Sequence, residues 1–209
     1  MHERQRRPAS QFHPQEIRCR HQPVSLVRSK ALALTPSSPH TELRPVLARI
    51  IDGALRACDP AALVRAALIT GPFGSSIWLL AAGKASAGMA RAAVDVLGAR
   101  VKGGLVIAPG ATPIRSPIPP LEFVSGGHPV PTAESERAGR RALALAHQTT
   151  RNDTFLVLLS GGASALMAVP VPPLTLEDKQ RTTEVLLRNG ADIHALNTVR
   201  KHLSAIKGG

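Results

Sequence analysis

The run Thr-Phe-Leu-Val-Leu-Leu-Ser-Gly-Gly-Ala-Ser at residues 154–164 passes without interruption from large aliphatic side chains to the smallest ones available. Thr154 to Leu159 has the length and apolar density of a buried strand. The small residues from Ser160 to Ser164 then read as a tight turn opening a helix. A strand, a glycine-rich turn and a helix in that order are one half of a parallel crossover unit.

Reading outward, the same grammar recurs. Ile77 to Ala82 is a short apolar run followed by Gly83-Lys84 and an alanine-rich helical stretch with Met89, Val94 and Leu97, closed by Gly98. Leu105 to Ala108 and Leu121 to Ser125 are two further strands, separated by a Pro-rich loop from Pro109 to Pro120. Gly126-Gly127-His128-Pro129-Val130-Pro131 follows the latter, and Thr132 caps a helix running through Leu143 and Ala146. Thr175 starts a helix ending near Gly190, and a last one runs from about Asp192 to Lys207. Before the first strand, Leu43, Val46, Leu47, Ile50, Ile51 and Leu55 mark an amphipathic helix. Asp59-Pro60 reads as an N-cap and first helical residue of another, ending near Leu68.

The expected fold is therefore α/β, a Rossmann-like, mostly parallel sheet with helices on both faces, connected by right-handed crossovers. Ligands of such sheets collect at the carboxyl ends of the strands. That rule selects Gly83-Lys84, the Gly126 to Pro131 loop with His128, and the Ser160 to Ser164 loop.

Composition narrows the function. The chain has 209 residues, 44% of them hydrophobic, but only 2% aromatic, so its core is aliphatic. No apolar run approaches the roughly 18 residues of a membrane span. Lys and Arg total 26 against 14 Asp and Glu, which raises the question of nucleic acid. The aromatic platforms of single-strand binders and the zinc-finger or basic-zipper patterns are absent, so a nucleic-acid partner is not expected. Residues 1–40 are rich in Arg, Pro, Ser and His and lack sustained periodicity; they read as a disordered tail or an extension ahead of the true start. They resemble an organellar targeting segment only in being Arg-rich and poor in acids. Cys19 and Cys58 lie far apart, which fits a reduced, cytoplasmic chain. His13, Cys19 and His21 do not make the ligand set of a structural zinc.

The 160–164 turn admits three readings on local grounds. It is a plain connector, an anion cradle of backbone N-H groups at a helix start, or a nucleophile elbow at Ser164. Leu166 stands where the elbow pattern requires its second glycine, and neither the Walker A nor the dinucleotide fingerprint is met. Lys84, directly after a strand, is placed to act as a point charge on a phosphoryl group or carboxylate. In the last helix Leu196, Val199, Leu203 and Ile206 share one face, and Asn197, Arg200, Lys201 and Ser204 the other, a set suited to anionic oxygens.

Five stretches, AAGKASAGMA at 81–90, GGHPVP at 126–131, LVLLSGGASALM at 156–167, LTLEDK at 174–179 and NTVRKHLSAIKGG at 197–209, occur together in the order seen in one family. Over residues 41–209 the chain resembles the N-terminal part of the glycerate 2-kinases, labelled hydroxypyruvate reductase in older usage. The resemblance implies two-domain α/β enzymes that use ATP and Mg2+ to phosphorylate the 2-hydroxyl of D-glycerate. It makes Lys84 the leading catalytic candidate. It also puts Ser160, Gly161, Gly162 and Ser164 at an anionic ligand, with Asn197, Arg200 and Lys201 in the same cleft, and leaves open which residues meet nucleotide and which meet glycerate. The family's S-G-G-G-S has Ala163 for its third glycine here. No magnesium carboxylate is evident: Asp153 precedes its strand, and Glu177 and Asp178 sit in a helix's first turn. The expectation is thus a fragment without kinase activity of its own, the missing carboxylate lying in the rest of the enzyme. The alternatives are a hydroxypyruvate reductase and a non-enzymatic nucleic-acid-binding piece. A homodimer is the one macromolecular partner left open.

Overall fold

A computed structural model describes residues 39–110 and 117–208. The tail expected over residues 1–40, with the His13, Cys19 and His21 grouping, lies almost entirely outside these residues, as does part of the Pro-rich loop. The chain divides into a unit spanning Met1–Ala48 and one spanning Arg49–Gly209. The second holds the sheet.

Helix α1 (Pro39–Ala57) forms where the apolar stripe predicts it, and α2 (Pro60–Ile69) starts at Pro60 with the Asp59 carboxylate accepting from the Ala61 N-H at 3.1 Å. The stripe of α1 is not covered, however: Ile50, Ile51 and Leu55 are more than half exposed. Four strands follow, β1 (Ile77–Ala82), β2 (Val101–Pro109), β3 (Leu121–Gly126) and β4 (Thr154–Leu159), with helix α3 (Ser86–Leu97) between the first two and α4 (Ala133–Gln148) between the last two. They make one parallel sheet in the order β3-β2-β1-β4. The short helix α5 (Ala163–Leu166), then α6 (Leu176–Arg188) and α7 (Ile193–His202) complete the described chain.

The alternation of strand side chains builds two cores. Ile77, Leu79 and Ala81 pack with Val64 and Leu68 of α2 and Met89, Ala93 and Leu97 of α3. Leu80 and Ala82 face the other way, with Leu105, Ile107, Ala138, Ala142 and Leu166. Helices cover both faces, and the α/β, mostly parallel architecture expected from sequence is the one observed.

Three local readings need correction. β2 begins at Val101, four residues before the expected start, with Gly103 and Gly104 as strand residues: the Trp78 ring lies over Gly103, and a Cβ on Gly104 would sit 2.2 Å from the Leu79 carbonyl oxygen. β4 was expected to be buried, yet it lies at the edge of the sheet formed by the described residues, and Val157 and Leu159 are exposed. The last helix stops at His202 and not near Lys207, because Ser204 pairs with Pro170 in an isolated antiparallel bridge. Ser204 is consequently buried, its hydroxyl donating to the Val169 carbonyl at 3.3 Å, and it does not share the polar face with Arg200.

Candidate functional site

At the carboxyl ends of β1 and β4 the two following turns are hydrogen-bonded to each other. The Ser160 N-H donates to the Ala82 carbonyl (2.9 Å), the Lys84 N-H to the Gly161 carbonyl (2.9 Å), and the Ala85 N-H to Ser160 Oγ (3.0 Å). Such closeness requires glycine at two points. Gly83 has φ of +125°, and a Cβ there would lie 2.1 Å from Ser160 Oγ; Gly162 has φ of +93° and precedes α5. Ala163, the departure from the family's third glycine, is already the first residue of α5.

The Gly126 to Pro131 loop joins the same rim. Ser135 Oγ accepts from the Gly127 N-H (2.9 Å) and the Thr132 N-H (3.0 Å), and the Gln180 amide of α6 donates to the Pro131 carbonyl (2.6 Å). So held, the loop brings His128 against Gly162: a Cβ on that glycine would meet His128 Cδ2 at 2.9 Å and Lys84 Cγ at 3.5 Å. Lys84, His128, Ser160, Gly161 and Gly162 are therefore neighbours. Gly161 faces open space.

On the other side of the turn stands Ser164, whose hydroxyl accepts from Arg200 at 3.3 Å. Asn197 and Lys201 are exposed on α7, and no hydrogen bond ties either to the turn; the stem of Lys201 lies beside Gly208. Two lysines that the sequence reading left unassigned complete the surroundings. Lys179 is buried, its ammonium donating to the Leu203 carbonyl (3.3 Å), and Lys207 donates to the carbonyls of Ser164 (2.9 Å) and Met167 (2.6 Å) at the end of α5. Burial lowers the pKa of Lys179, helped by Arg200. Burial, then Lys179 and Arg200, bring Lys207 down from 10.5 to about 8. Neither lysine nor Arg200 has a carboxylate partner among the described residues. Both lysines lie within the quoted family stretches, but burial is not written in a stretch of sequence.

The acidic side chains are engaged elsewhere. Asp153 accepts from Ser76 Oγ (2.5 Å) and from the Thr150 N-H (2.9 Å) and hydroxyl (2.8 Å) at the opposite end of the sheet, and Ser76 is the main reason its pKa lies below the ordinary value. Asp178 caps α6 through Thr175, which lowers its pKa in the same way. Among the described residues no three His, Cys, Asp or Glu side chains gather closely enough for a metal ion. This donor set does not fit Mg2+ and no step is assigned to one. It does fit a polyanion, because cations and bare N-H groups converge where strands end.

A family model described as a domain of unknown function, DUF4147, matches residues 46–209. The chain belongs to this family. It is 45% identical over 131 residues to the D-glycerate 2-kinase of Thermotoga maritima, an alignment covering 63% of this chain and 31% of that protein. A relative from Agrobacterium vitis with the provisional name hydroxypyruvate reductase is 40% identical over 167 residues, 79% of this chain and 37% of its own length. The solved structure of the Thermotoga maritima glycerate kinase superposes with a TM-score of 0.75 at 38% identity, covering 81% of this chain and 40% of that one. The resemblance read from the five stretches is thereby borne out. The chain spans between three and four tenths of the length of these relatives. Among the described residues no helix is long and apolar enough to cross a membrane.

Proposed function

We propose that this chain is the sheet-bearing part of an ATP-dependent D-glycerate 2-kinase, and that the rim joining Lys84 to the 160–164 turn binds the anionic groups of both substrates. The observation that carries this is the hydrogen bond from the Lys84 N-H to the Gly161 carbonyl, which brings the one cation following β1 beside the glycine turn following β4. Phosphoryl transfer asks for positioning and charge neutralisation more than for covalent participation by the protein. Bound ATP supplies the transferable phosphoryl group. Lys84 then serves as a point charge near the transferring oxygens, and the N-H groups of Gly161 and Gly162 donate to an anion approaching the open side of the turn. Arg200 offers its guanidinium at Ser164. His128, against Gly162, orients the acceptor. Asn197 and Lys201 belong to the outer wall, where any role is exerted through water or through a closed form.

The relatives' kinase names support this reading. The test is a chimera in which residues 46–209 replace the matching segment of the Thermotoga maritima enzyme. ATP-dependent formation of phosphoglycerate is expected, falling at least 100-fold with Lys84→Ala. Consumption of NADH with hydroxypyruvate in the absence of ATP would instead establish the reductase.

A further inference from the structure

The turn at Gly161 and Gly162 has two flanks of different chemistry. On one, Lys84 and His128 both stand against Gly162, a small polar corner. On the other, beyond Ser164, opens a cavity of about 670 Å3, lined on its apolar side by Val130, Pro131, Leu187 and Leu196 and on its polar side by Ser164, Lys179 and Arg200. That volume falls within the roughly 300–1,000 Å3 typical of sites that enclose a whole organic ligand. A three-carbon hydroxy acid fills little of it and, bearing oxygen on every carbon, has nothing to bury against leucine and valine. A ligand with a flat apolar part and a strongly anionic part suits both sides at once.

The polar side calls for negative charge. Arg200 and Lys179 line it, Lys207 lies behind Ser164, and among the described residues all three bond only to neutral oxygens. Glu184 is the one carboxylate on the lining, and it is paired with Arg188 at 2.5 Å. Three cations gathered without a counter-charge repel one another until an anion arrives.

We propose that this cavity is the nucleotide subsite, with the base between Val130 and Leu187 and the phosphates directed to Ser164 and Arg200, which leaves the Lys84–His128 corner for glycerate. The proposal rests on the kinase reading above and adds the division of the rim between its two substrates. It makes a claim about this chain alone, since every group named lies within residues 84–207.

The experiment is a fluorescence titration of the 209-residue chain with N-methylanthraniloyl-ADP, comparing the native sequence with Val130→Asp and Leu187→Asp. Both side chains are exposed by more than half, so circular dichroism of the variants should match the native chain. Each substitution is expected to weaken binding at least tenfold, by placing a carboxylate where the base stacks and beside the phosphates. Unlabelled ADP should displace the probe, and millimolar D-glycerate should not. Unchanged affinity in both variants, or displacement by glycerate, overturns the subsite assignment while leaving nucleotide use intact. A native chain that does not bind the probe overturns it at the root, and the chimera's phosphorylation assay then decides separately whether the kinase reading survives.

Discussion

The same two strands, β1 and β4, are joined at both ends, and the two joints are built on opposite principles. At the amino end the Thr154 N-H donates to the Ser76 carbonyl (2.8 Å), and Asp153 gathers Ser76 Oγ and both donors of Thr150. Each polar group just named is answered by a near neighbour. At the carboxyl end the backbones are tied at a similar distance, the Ser160 N-H to the Ala82 carbonyl at 2.9 Å, but through glycines at positive φ and beside cations that find no acid among the described residues. A self-satisfied joint holds the sheet; a joint that keeps positive φ and unneutralised charge is arranged for something that is not part of the chain.

The most severe way to break this contrast is Gly83→Ala. The added methyl meets Ser160 Oγ at 2.1 Å and the Ser160 carbonyl oxygen at 2.5 Å, at φ of +125°. Backbone strain of about 1–3 kcal/mol and overpacking of about 1–3 kcal/mol add to an expected loss of about 2–6 kcal/mol. Urea denaturation reads it directly, and an unchanged midpoint would mean that the two turns are not in contact.

Next in size is the pH dependence due to Lys207. Its folded pKa of about 8 lies below the ordinary 10.5, so the fold disfavours the charged form. Below about pH 8 both folded and unfolded chains hold the proton and stability is flat. Between about 8 and 10.5 only the unfolded chain retains it, so stability rises with pH across that window. Lys207→Met should flatten most of the rise, the remainder being due to Lys179, whose pKa is shifted in the same direction. A rise unaffected by this substitution would place the buried charge elsewhere.

How much of this was legible beforehand differs between the two ends. The strand-to-turn switch at Leu159-Ser160 and at Ala82-Gly83 is written in side-chain size, so the rim, with Lys84 and the 160–164 turn, follows from sequence and one rule about parallel sheets. The start of β2 lies four residues ahead of Leu105, since a pair of glycines carries no apolar signal and only the structure shows Trp78 lying over Gly103. The last helix was read too long because Leu203 and Ile206 continue its period, and periodicity says nothing of a bridge from Ser204 to Pro170. Lys179 and Lys207 escaped notice for a related reason. A lysine in a helix's first turn or at a chain's end is ordinarily solvated, and only the tertiary packing buries these two.

Two hydroxyl deletions sharpen the comparison with smaller effects of opposite sign. Ser160→Ala removes the acceptor of the Ala85 N-H and should cost about 1 kcal/mol. Ser86, the first residue of α3, is fully buried with its Oγ lacking a hydrogen-bond partner, so Ser86→Ala should instead stabilise the chain by about 1 kcal/mol. Thermal melts of the pair settle the signs. At the other end, Ser76→Ala removes the main cause of the low pKa of Asp153. A depressed carboxyl pKa contributes stability above the unfolded value that is lost as pH falls through the folded one. The acid-unfolding midpoint should therefore move to higher pH, with little change near neutrality in its pH slope.

The smallest expected effect on the fold is also the most telling about the rim. Lys84 is exposed and its tie to the turn is made by its backbone N-H, which any residue but proline supplies. Lys84→Ala should therefore leave the denaturation midpoint within about 0.5 kcal/mol of the native chain. The same substitution should weaken binding of D-glycerate to the 209-residue chain and make it less dependent on salt, because one cation fewer faces the carboxylate. If Lys84→Ala instead destabilised the chain by more than about 1 kcal/mol without altering the salt dependence, the side chain would be a strut, and the carboxyl end of the sheet would differ from the amino end in geometry alone.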